Sequence, residues 1–229
     1  MKNIPCDMHT HSVFSHDGGK DSSIDALCMR AIELGLSDLA ITDHCDVNGE
    51  AEKIYASYDS DGAWQAMCAA KEKYRGSLNL ILGIELGQPE QYPEVAEAFL
   101  RRHPYEFIIG SVHNLDRVPD FCMMSFEYIP DALASQLFDR TLDEMNALID
   151  FPITTLAHLT YQTRYMAMAG KSFDFAPHRD KTAALLKKLI SRGIALEVNV
   201  STVWRGLGFT MPQAEIIALY RDLGGSLIT

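Results

Sequence analysis

The hydrophobic pattern of the chain alternates between two kinds of segment along its whole length. Short runs of apolar, β-branched residues without polar alternation predict strands that are buried on both faces. The predicted strands are Ile4–Met8, Leu39–Thr42, Leu80–Ile84, Phe107–Val112, Ile153–Ala157, Ile194–Val200 and Ser226–Thr229. Stretches with apolar residues at helical spacing lie between them and predict helices. The predicted helices are 23–35, 63–75, 91–103, 131–149, 178–192 and 212–223.

The order of these elements predicts an α/β fold. Repeated strand–helix units without a shift in composition indicate one domain over residues 1–229 and a parallel sheet, and seven strands favour a barrel over an open sheet. Segments from helix to strand are short, as at 35–38, whereas segments from strand to helix are long, as at 159–177. In a parallel barrel the long segments gather at the C-terminal face of the strands, where active sites lie. We therefore expect a barrel of parallel strands with outer helices and a functional site on that face.

Composition and charge argue against two classes of binding partner, nucleic acids and membranes. The formal net charge of −11 argues against a nucleic-acid surface, which needs a basic patch, and against binding to an anionic membrane. The five cysteines include no CxxC pair, which is typical of a reducing compartment. The N-terminus has no apolar signal region, and no stretch approaches 18 apolar residues. We expect a cytoplasmic protein without a membrane or nucleic-acid partner, and its oligomeric state stays open.

The candidate chemistry lies where the predicted strands end. Five of the eight histidines fall there, together with one glutamate: His9, His11, His44, His113, His158 and Glu85. Because alternate residues of a strand point the same way, His9 and His11 can bind one ion together. Imidazole and carboxylate ligands suit Zn²⁺, Mn²⁺ or Fe²⁺ better than Mg²⁺ or Ca²⁺. The pattern therefore predicts a transition-metal centre.

The other histidines do not share this pattern. His103 stands at a helix end and His178 in the first turn of a helix, and both are expected at the surface. His16 lies beside Asp17 in the first loop, and its role is left open. A single histidine after a strand is more often a satisfied polar residue than a ligand, so the metal prediction depends on the whole set.

Five motifs in this order resemble one known family. The segments DMHTHSVFSHDG, ITDH, GIEL, GSVHN and AHLT resemble the PHP (polymerase and histidinol phosphatase) superfamily. The likeness is greatest to its histidinol-phosphate phosphatases and covers nearly the whole chain. It implies a distorted (β/α)7 TIM-like barrel with two or three divalent transition metal ions, which are Zn, Mn or Fe.

The resemblance also implies which residues would bind each metal ion. The implied metal ligands are His9, His11, Asp17, His44, Glu85, His113 and His158. His9 and His11 would hold the first ion, and Glu85 would bridge it to a second. His113 and His158 would hold that second ion, while Asp17 and His44 would hold a third.

Further site residues follow from the same motifs. Asp43 and Glu85 are the implied catalytic residues. We expect Asp43 to orient the neighbouring metal ligands rather than bind metal itself. Arg164 and Arg205 fall in long strand-to-helix segments, where the family's arginines bind the substrate phosphate. A guanidinium binds two phosphate oxygens at once, which gives the physical reason for these arginines.

The chain departs from the family pattern at its end. Family members continue past the last strand with an Asp-x-His motif that would complete the first and third metal sites. This sequence stops within residues 224–229, inside the predicted last strand. We therefore expect a single PHP-type barrel domain over 1–229 that is truncated at its C-terminus.

The implied reaction is phosphomonoester hydrolysis on a small anionic substrate. A metal-bound hydroxide would attack phosphorus, and histidinol phosphate, from histidine biosynthesis, is the substrate that the resemblance favours. The acidic segment 46–62 would suit such a cationic substrate, although solvated surface charge is the commoner interpretation.

Three alternatives stay open. In the first, the enzyme acts on another small phosphate, such as a nucleotide or sugar phosphate. In the second, it carries out metal-dependent amide or deamination chemistry. The third alternative is a non-catalytic PHP-like binding module, which the absent final motif makes reasonable.

Overall fold

The computed structural model describes residues 5–53 and 57–228. Parts of the first and last predicted strands, at Ile4 and Thr229, and residues 54–56 of the acidic segment lie outside the described residues. The chain divides into two compact units, one up to Ile109 and the other from Gly110 to Ile228. Whether these units form one folding domain stays a prediction. Within the described ranges, no helix combines the length and the apolar character needed to cross a membrane.

The first unit is built on parallel strands. Its strands are β1 (Cys6–Thr10), β2 (Asp38–Ile41), β3 (His44–Asp46) and β4 (Asn79–Gly87). Its helices are α1 (Ile24–Glu33), α2 (Val47–Glu52), α3 (Ser60–Lys73) and α4 (Pro93–Arg102). β2 pairs with both β1 and β4, and β3 pairs with the later part of β4. Every one of these pairings is parallel, as the continuous apolar runs predict.

The helices of the first unit cover an apolar layer. Cys28 of α1 and Met67 of α3 are completely buried against Leu39, Ile41 and Leu80 of the strands. The Ser23 hydroxyl begins α1 by accepting a hydrogen bond from the Ala26 amide.

Gly83 allows β4 to lie close to its neighbours. A Cβ at this position would stand 2.9 Å from the Ile41 carbonyl oxygen, 2.9 Å from that of Phe107 and 2.8 Å from a methyl of Thr42. Because the first two are backbone atoms, only glycine fits there.

The second unit repeats the pattern. Strand β5 (Phe107–Ser111) spans the boundary, and the Ala157 amide donates to its Gly110 carbonyl. The remaining strands are β6 (Thr155–Leu156), β7 (Ala195–Glu197) and β8 (Leu227–Ile228), with parallel pairing of β6 to β7 and of β7 to β8. The helices are α5 (Asp131–Leu148), α6 (Tyr161–Met168), α7 (Arg179–Arg192), α8 (Ser201–Trp204) and α9 (Ala214–Asp222).

The predicted elements are largely confirmed, but several of their bounds differ. Strand β4 continues to Gly87, so Glu85 lies inside a strand rather than after it. The predicted strands Ile153–Ala157 and Ile194–Val200 are reduced to two residues in β6 and to three in β7. The first strand continues to Thr10, so His9 also lies inside a strand. The short elements β3, α2, α6 and α8 were not predicted, because each lies in a segment interpreted as a loop.

The expectation that His178 lies at the surface is wrong. Its side chain is 2% exposed, with Nδ1 at 2.8 Å from Asp139 Oδ1 and Nε2 at 3.1 Å from Ser135 Oγ. The ring fills the space between α5 and the start of α7, where both nitrogens find partners. His103 is also largely covered, because its ring stacks on Trp64 with a centroid distance of 4.9 Å.

Candidate functional site

The strands of the first unit bring four predicted ligands together. His9 lies in β1 and His11 directly follows that strand. His44 opens β3, and the parallel register places it opposite Glu85 of β4. The Glu85 side chain is completely buried, whereas the three histidines are partly exposed.

The donor atoms of these residues converge on one carboxylate oxygen. Nε2 of His9 and Nε2 of His11 each lie 3.2 Å from Glu85 Oε2 and 3.1 Å from one another. Nδ1 of His44 lies 3.2 Å from the same oxygen. Ligand atoms about 2.0–2.1 Å from a tetrahedral zinc ion stand roughly 3.3–3.4 Å apart. The separations are therefore close to those of ligands that share one ion.

The chemistry of this donor set fits a divalent transition metal. A buried carboxylate costs free energy unless a positive charge compensates it. Burial opposes protonation of His44, but the carboxylates of Glu85, Asp17 and Asp46 outweigh it and raise the pKa of His44 well above its usual value. A field that attracts a proton this strongly also attracts a metal cation, and imidazole nitrogens are suitable ligands.

Asp17 contacts the far side of two of these histidines. Its Oδ1 lies 3.0 Å from His11 Nδ1, and its Oδ2 lies 3.6 Å from His44 Nε2. Burial would raise the pKa of the Asp17 carboxyl, but hydrogen bonds with His11 and His44 lower it well below its usual range. Carboxylates in this position orient histidine ligands in metalloproteins. The direct ligation of a third ion by Asp17 stays a prediction.

Asp43 lies behind the histidines. Its side chain is 1% exposed and accepts hydrogen bonds from the Ser12 amide and from the Ser12 hydroxyl, the latter at 2.8 Å. Its carbonyl oxygen accepts the Glu85 amide at 3.0 Å. Burial raises the pKa of Asp43, and the two bonds from Ser12 partly offset that rise. These contacts connect Asp43 to the residue after His11 and to Glu85, which matches an orienting role.

Sequence reasoning missed Asp46 and left His16 open. His44 Nδ1 lies 3.3 Å from Asp46 Oδ2, and His16 Nδ1 lies 3.9 Å from the same oxygen. One ligand atom from each of these three residues lies within 4.8 Å of the other two, so the three residues could hold a metal ion. The available signal was the spacing of His44 and Asp46, which point the same way as alternate residues of β3.

The second unit holds the other two predicted histidine ligands. His113 follows β5 and His158 follows β6, and both are 3% exposed. Their ring centroids lie 5.2 Å apart, and the Tyr161 ring lies 5.1 Å from His113 and 4.9 Å from His158. Burial raises the pKa of the Tyr161 phenol far above its usual value, so this side chain stays neutral at physiological pH.

The two predicted phosphate-binding arginines lie in different surroundings. Arg164 lies on α6, with its guanidinium carbon 5.2 Å from the Tyr161 ring centroid and its Nη2 donating to Ser201 Oγ at 2.6 Å. Its buried Nε has no hydrogen-bond partner among residues 5–53 and 57–228. Arg205 is exposed at the end of α8, where its amide donates to the Ser201 carbonyl at 3.2 Å. Sequence reasoning missed Ser201 and Tyr161 beside Arg164.

Comparisons with known proteins identify a family that the sequence matches. Residues 7–201 match the model of the PHP domain family. A "Probable histidinol-phosphatase" of Thermotoga maritima is 30% identical over 97% of this chain and 81% of its own length.

Two crystal structures share the fold. HisK from Listeria monocytogenes has a TM-score of 0.84 at 20% identity, over 97% of this chain and 93% of its own. The histidinol phosphate phosphatase of Lactococcus lactis, complexed with zinc, L-histidinol and phosphate, has a TM-score of 0.79 at 21% identity, over 99% of this chain and 85% of its own. The expected α/β fold class is confirmed by this likeness.

Proposed function

The chain belongs to the PHP domain family, and from this premise we propose that it is a metal-dependent phosphatase that hydrolyses a small phosphomonoester. The observation that carries the proposal is the convergence of His9, His11 and His44 on the buried Glu85 oxygen, each at 3.2 Å. Two or three divalent ions of zinc, manganese or iron are proposed. When bound, they would supply positive charge to the phosphoryl oxygens and acidify water.

The proposed roles follow the elements that carry each side chain. In the first unit, His9, His11, His44 and Glu85 are proposed as ligands, with Asp17 as a further ligand. Asp43 holds the segment around His11 through Ser12.

The second unit is proposed to supply further ligands and the phosphate contacts. His113 and His158 are the ligands. Arg164 and Arg205 are proposed to bind the phosphate, and the buried Nε of Arg164 is a donor directed at no described residue.

Histidinol phosphate is the proposed substrate. The T. maritima relative is named for this activity, and the L. lactis protein was crystallised with L-histidinol and phosphate. A small cavity of about 70 Å³ in the first unit opens beside His44, and its walls include two carboxylates. The lining residues are Phe14, His16, His44, Asp46, Glu50, Ser57 and Tyr58. Acidic and aromatic walls suit the cationic amine of such a substrate.

The proposed location is the cytoplasm. All five cysteines are free, which supports a reducing compartment.

The test is phosphate release from histidinol phosphate by the full chain, with Mn²⁺ or Zn²⁺ added and again after chelation. A panel of nucleotide and sugar phosphates provides the comparison. We expect chelator-sensitive turnover with at least about a tenfold preference for histidinol phosphate, the size of discrimination that a few pocket contacts give. Chelator-sensitive turnover without this preference would remove histidinol phosphate as the substrate, and metal-loaded protein that hydrolyses no ester would contradict the phosphatase proposal.

A further inference from the structure

A continuous set of hydrogen bonds in the second unit runs from the His158 backbone to the Arg164 guanidinium. The His158 amide donates to Glu197 Oε2 at 2.6 Å, and Asn199 Nδ2 donates to Glu197 Oε1 at 3.2 Å. The Ser201 hydroxyl donates to Asn199 Oδ1 at 2.5 Å and accepts from Arg164 Nη2 at 2.6 Å. Three side chains therefore connect a proposed metal ligand to a proposed phosphate-binding residue.

The donor and acceptor roles in this set are fixed by chemistry. The Asn199 amide group turns its NH₂ toward Glu197, where it donates, and its oxygen toward Ser201, where it accepts. The Ser201 amide also donates to that oxygen, at 3.0 Å. Since the Ser201 hydroxyl has one proton, which it donates to Asn199, its lone pairs face the permanently charged guanidinium.

The local fold explains why these residues meet. Glu197 ends β7 and is 4% exposed, and Asn199 and Ser201 follow it at alternate positions. Ser201 opens α8, so the turn between strand and helix sets the position of its hydroxyl.

Two tyrosine rings also hold the Arg164 guanidinium in place. Its guanidinium carbon lies 5.2 Å from the Tyr161 ring centroid and 5.8 Å from that of Tyr165, and the two phenol groups share a hydrogen bond of 2.7 Å. With Nη2 bonded to Ser201, the guanidinium cannot rotate without losing these contacts. The buried Nε is left as a donor for a ligand.

We propose that Glu197, Asn199 and Ser201 form a positioning chain that fixes the Arg164 guanidinium for a phosphoryl oxygen and ties it to the segment that carries His158. The proposal depends on the proposed function, because it takes the ligand of Arg164 to be a phosphate group. Ser201 is a positioning residue that acts through Arg164, and the buried carboxylate of Glu197 anchors the chain.

The test is a double-mutant cycle on Ser201 and Arg164, read out as the affinity for inorganic phosphate. Calorimetry on the full chain loaded with Mn²⁺ would compare Ser201→Ala, Arg164→Ala and the double variant. We expect Ser201→Ala to weaken phosphate binding roughly tenfold, the scale of one hydrogen bond to a charged group. In the Arg164→Ala background the same substitution should change the affinity less than about twofold, because coupled residues are not additive.

One conservative variant, one variant that removes the acceptor and one matched control complete the design. Ser201→Thr keeps the hydroxyl and should restore affinity, and Asn199→Ala removes its acceptor and should reproduce the loss. Ser191→Ala removes an exposed hydroxyl of α7, bonded only to the Lys188 carbonyl among the described residues, and should change nothing.

The outcomes separate the two proposals. An equal effect of Ser201→Ala with and without Arg164, an unchanged affinity, or no phosphate binding by the unmutated chain would overturn the positioning chain. Failure of the proposed function would instead appear as absent ester hydrolysis by metal-loaded unmutated protein, whatever the cycle shows.

Discussion

At the scale of single residues, Glu85 is the group on which the proposed metal centre depends. Three imidazole nitrogens lie 3.2 Å from its buried Oε2. Glu85→Gln should lower both bound metal and phosphatase turnover by more than the roughly 100-fold that loss of an outer-shell partner causes. Metal analysis and initial rates would measure this. Glu94→Gln changes an exposed glutamate in the first turn of α4 and is the matched control. Full metal content and full turnover in Glu85→Gln would refute the ligand assignment.

Asp43 should act through Ser12 rather than through a metal ion. Asp43→Asn leaves an amide that cannot accept both Ser12 bonds with the same strength, so the His11 segment loses its anchor. We expect metal affinity or turnover to fall about 10- to 100-fold, and Ser12→Ala to produce a smaller loss in the same direction. Titration of the metal-free protein with Mn²⁺ checks this, and an Asp43→Asn protein with unchanged affinity and turnover contradicts it.

The residues that the sequence could reveal are those placed by strand ends. His9, His11, His44, His113 and His158 recur after apolar runs, so a position near a strand end follows for each of them from the pattern alone. Asp46 and Ser201 were missed for different reasons. Asp46 lies in a three-residue strand that was interpreted as loop, and Ser201 gains its role only from a bond to Arg164, 37 residues earlier in the chain.

At the scale of elements, Gly83 controls how closely β4 approaches its neighbours. Gly83→Ala would place a Cβ 2.9 Å from two backbone carbonyl oxygens, which cannot rotate away. The free energy of unfolding should fall by about 1–3 kcal/mol, as in other overpacked cores. Denaturant unfolding measures this change. Gly19→Ala is the control, since the nearest atom to a Cβ there is the Ser22 hydroxyl at 3.4 Å, and it should stay within about 0.5 kcal/mol. Equal stability of the two variants would refute the steric argument.

Glu106 connects α3 to β4 and should make stability depend on pH. Its carboxylate accepts the Leu82 amide at 2.9 Å and contacts Lys71 Nζ at 2.6 Å. Burial raises the pKa of Glu106, but the Leu82 and Lys71 bonds outweigh it, so the pKa is lowered overall.

A lowered folded-state pKa stabilises the protein above the unfolded value, about 4.3, and this contribution is lost as pH falls through the folded value. Glu106→Gln should therefore be less stable at pH 7. Since the side chain is 45% exposed, solvent screening limits the loss to less than about 1 kcal/mol. Denaturant unfolding at several pH values should show the gap closing below about pH 4, and a constant gap would contradict the linkage.

Long elements were predicted and short ones were not. Helices such as α5 and α7 contain enough residues for apolar spacing to be recognised. The four-residue α8 and the three-residue β3 cover little more than one period of such a pattern, so the sequence carries no repeated signal for them. Their positions follow from tertiary contacts, such as the pairing of β3 with β4.

At the scale of the whole molecule, metal binding should be coupled to stability. An ion that binds only the folded chain stabilises it, by about 2.7 kcal/mol when its concentration is 100 times Kd. Calorimetric melting should therefore show a higher Tm with Zn²⁺ or Mn²⁺ than after chelation. The Glu85→Gln protein should show a much smaller rise, and an equal rise in both proteins would place the stabilising ion elsewhere.

The fold class could be predicted from the sequence because the strand patterns, the helix patterns and the ordered motifs all indicate the same fold. The ordered motifs from His9 to His158 carry the family resemblance, and the family model matches residues 7–201. The side-chain contacts of Asp17 and Asp43 required coordinates, since they depend on distances between neighbouring loops.

The register between β3 and β4 makes the number of residues in β4 critical for the proposed metal centre. His44 stands opposite Glu85 in this ladder, and side chains alternate between faces along a strand. Deleting one residue between Asn79 and Glu85 would place Leu86 opposite His44 and move the carboxylate to the buried position of Ile84. Natural and engineered variants of this chain should therefore exchange one aliphatic side chain for another at Leu80, Ile81 and Leu82 more readily than they change the number of residues in β4. Insertions and deletions should collect in the segments before Asn79 and after Gly87.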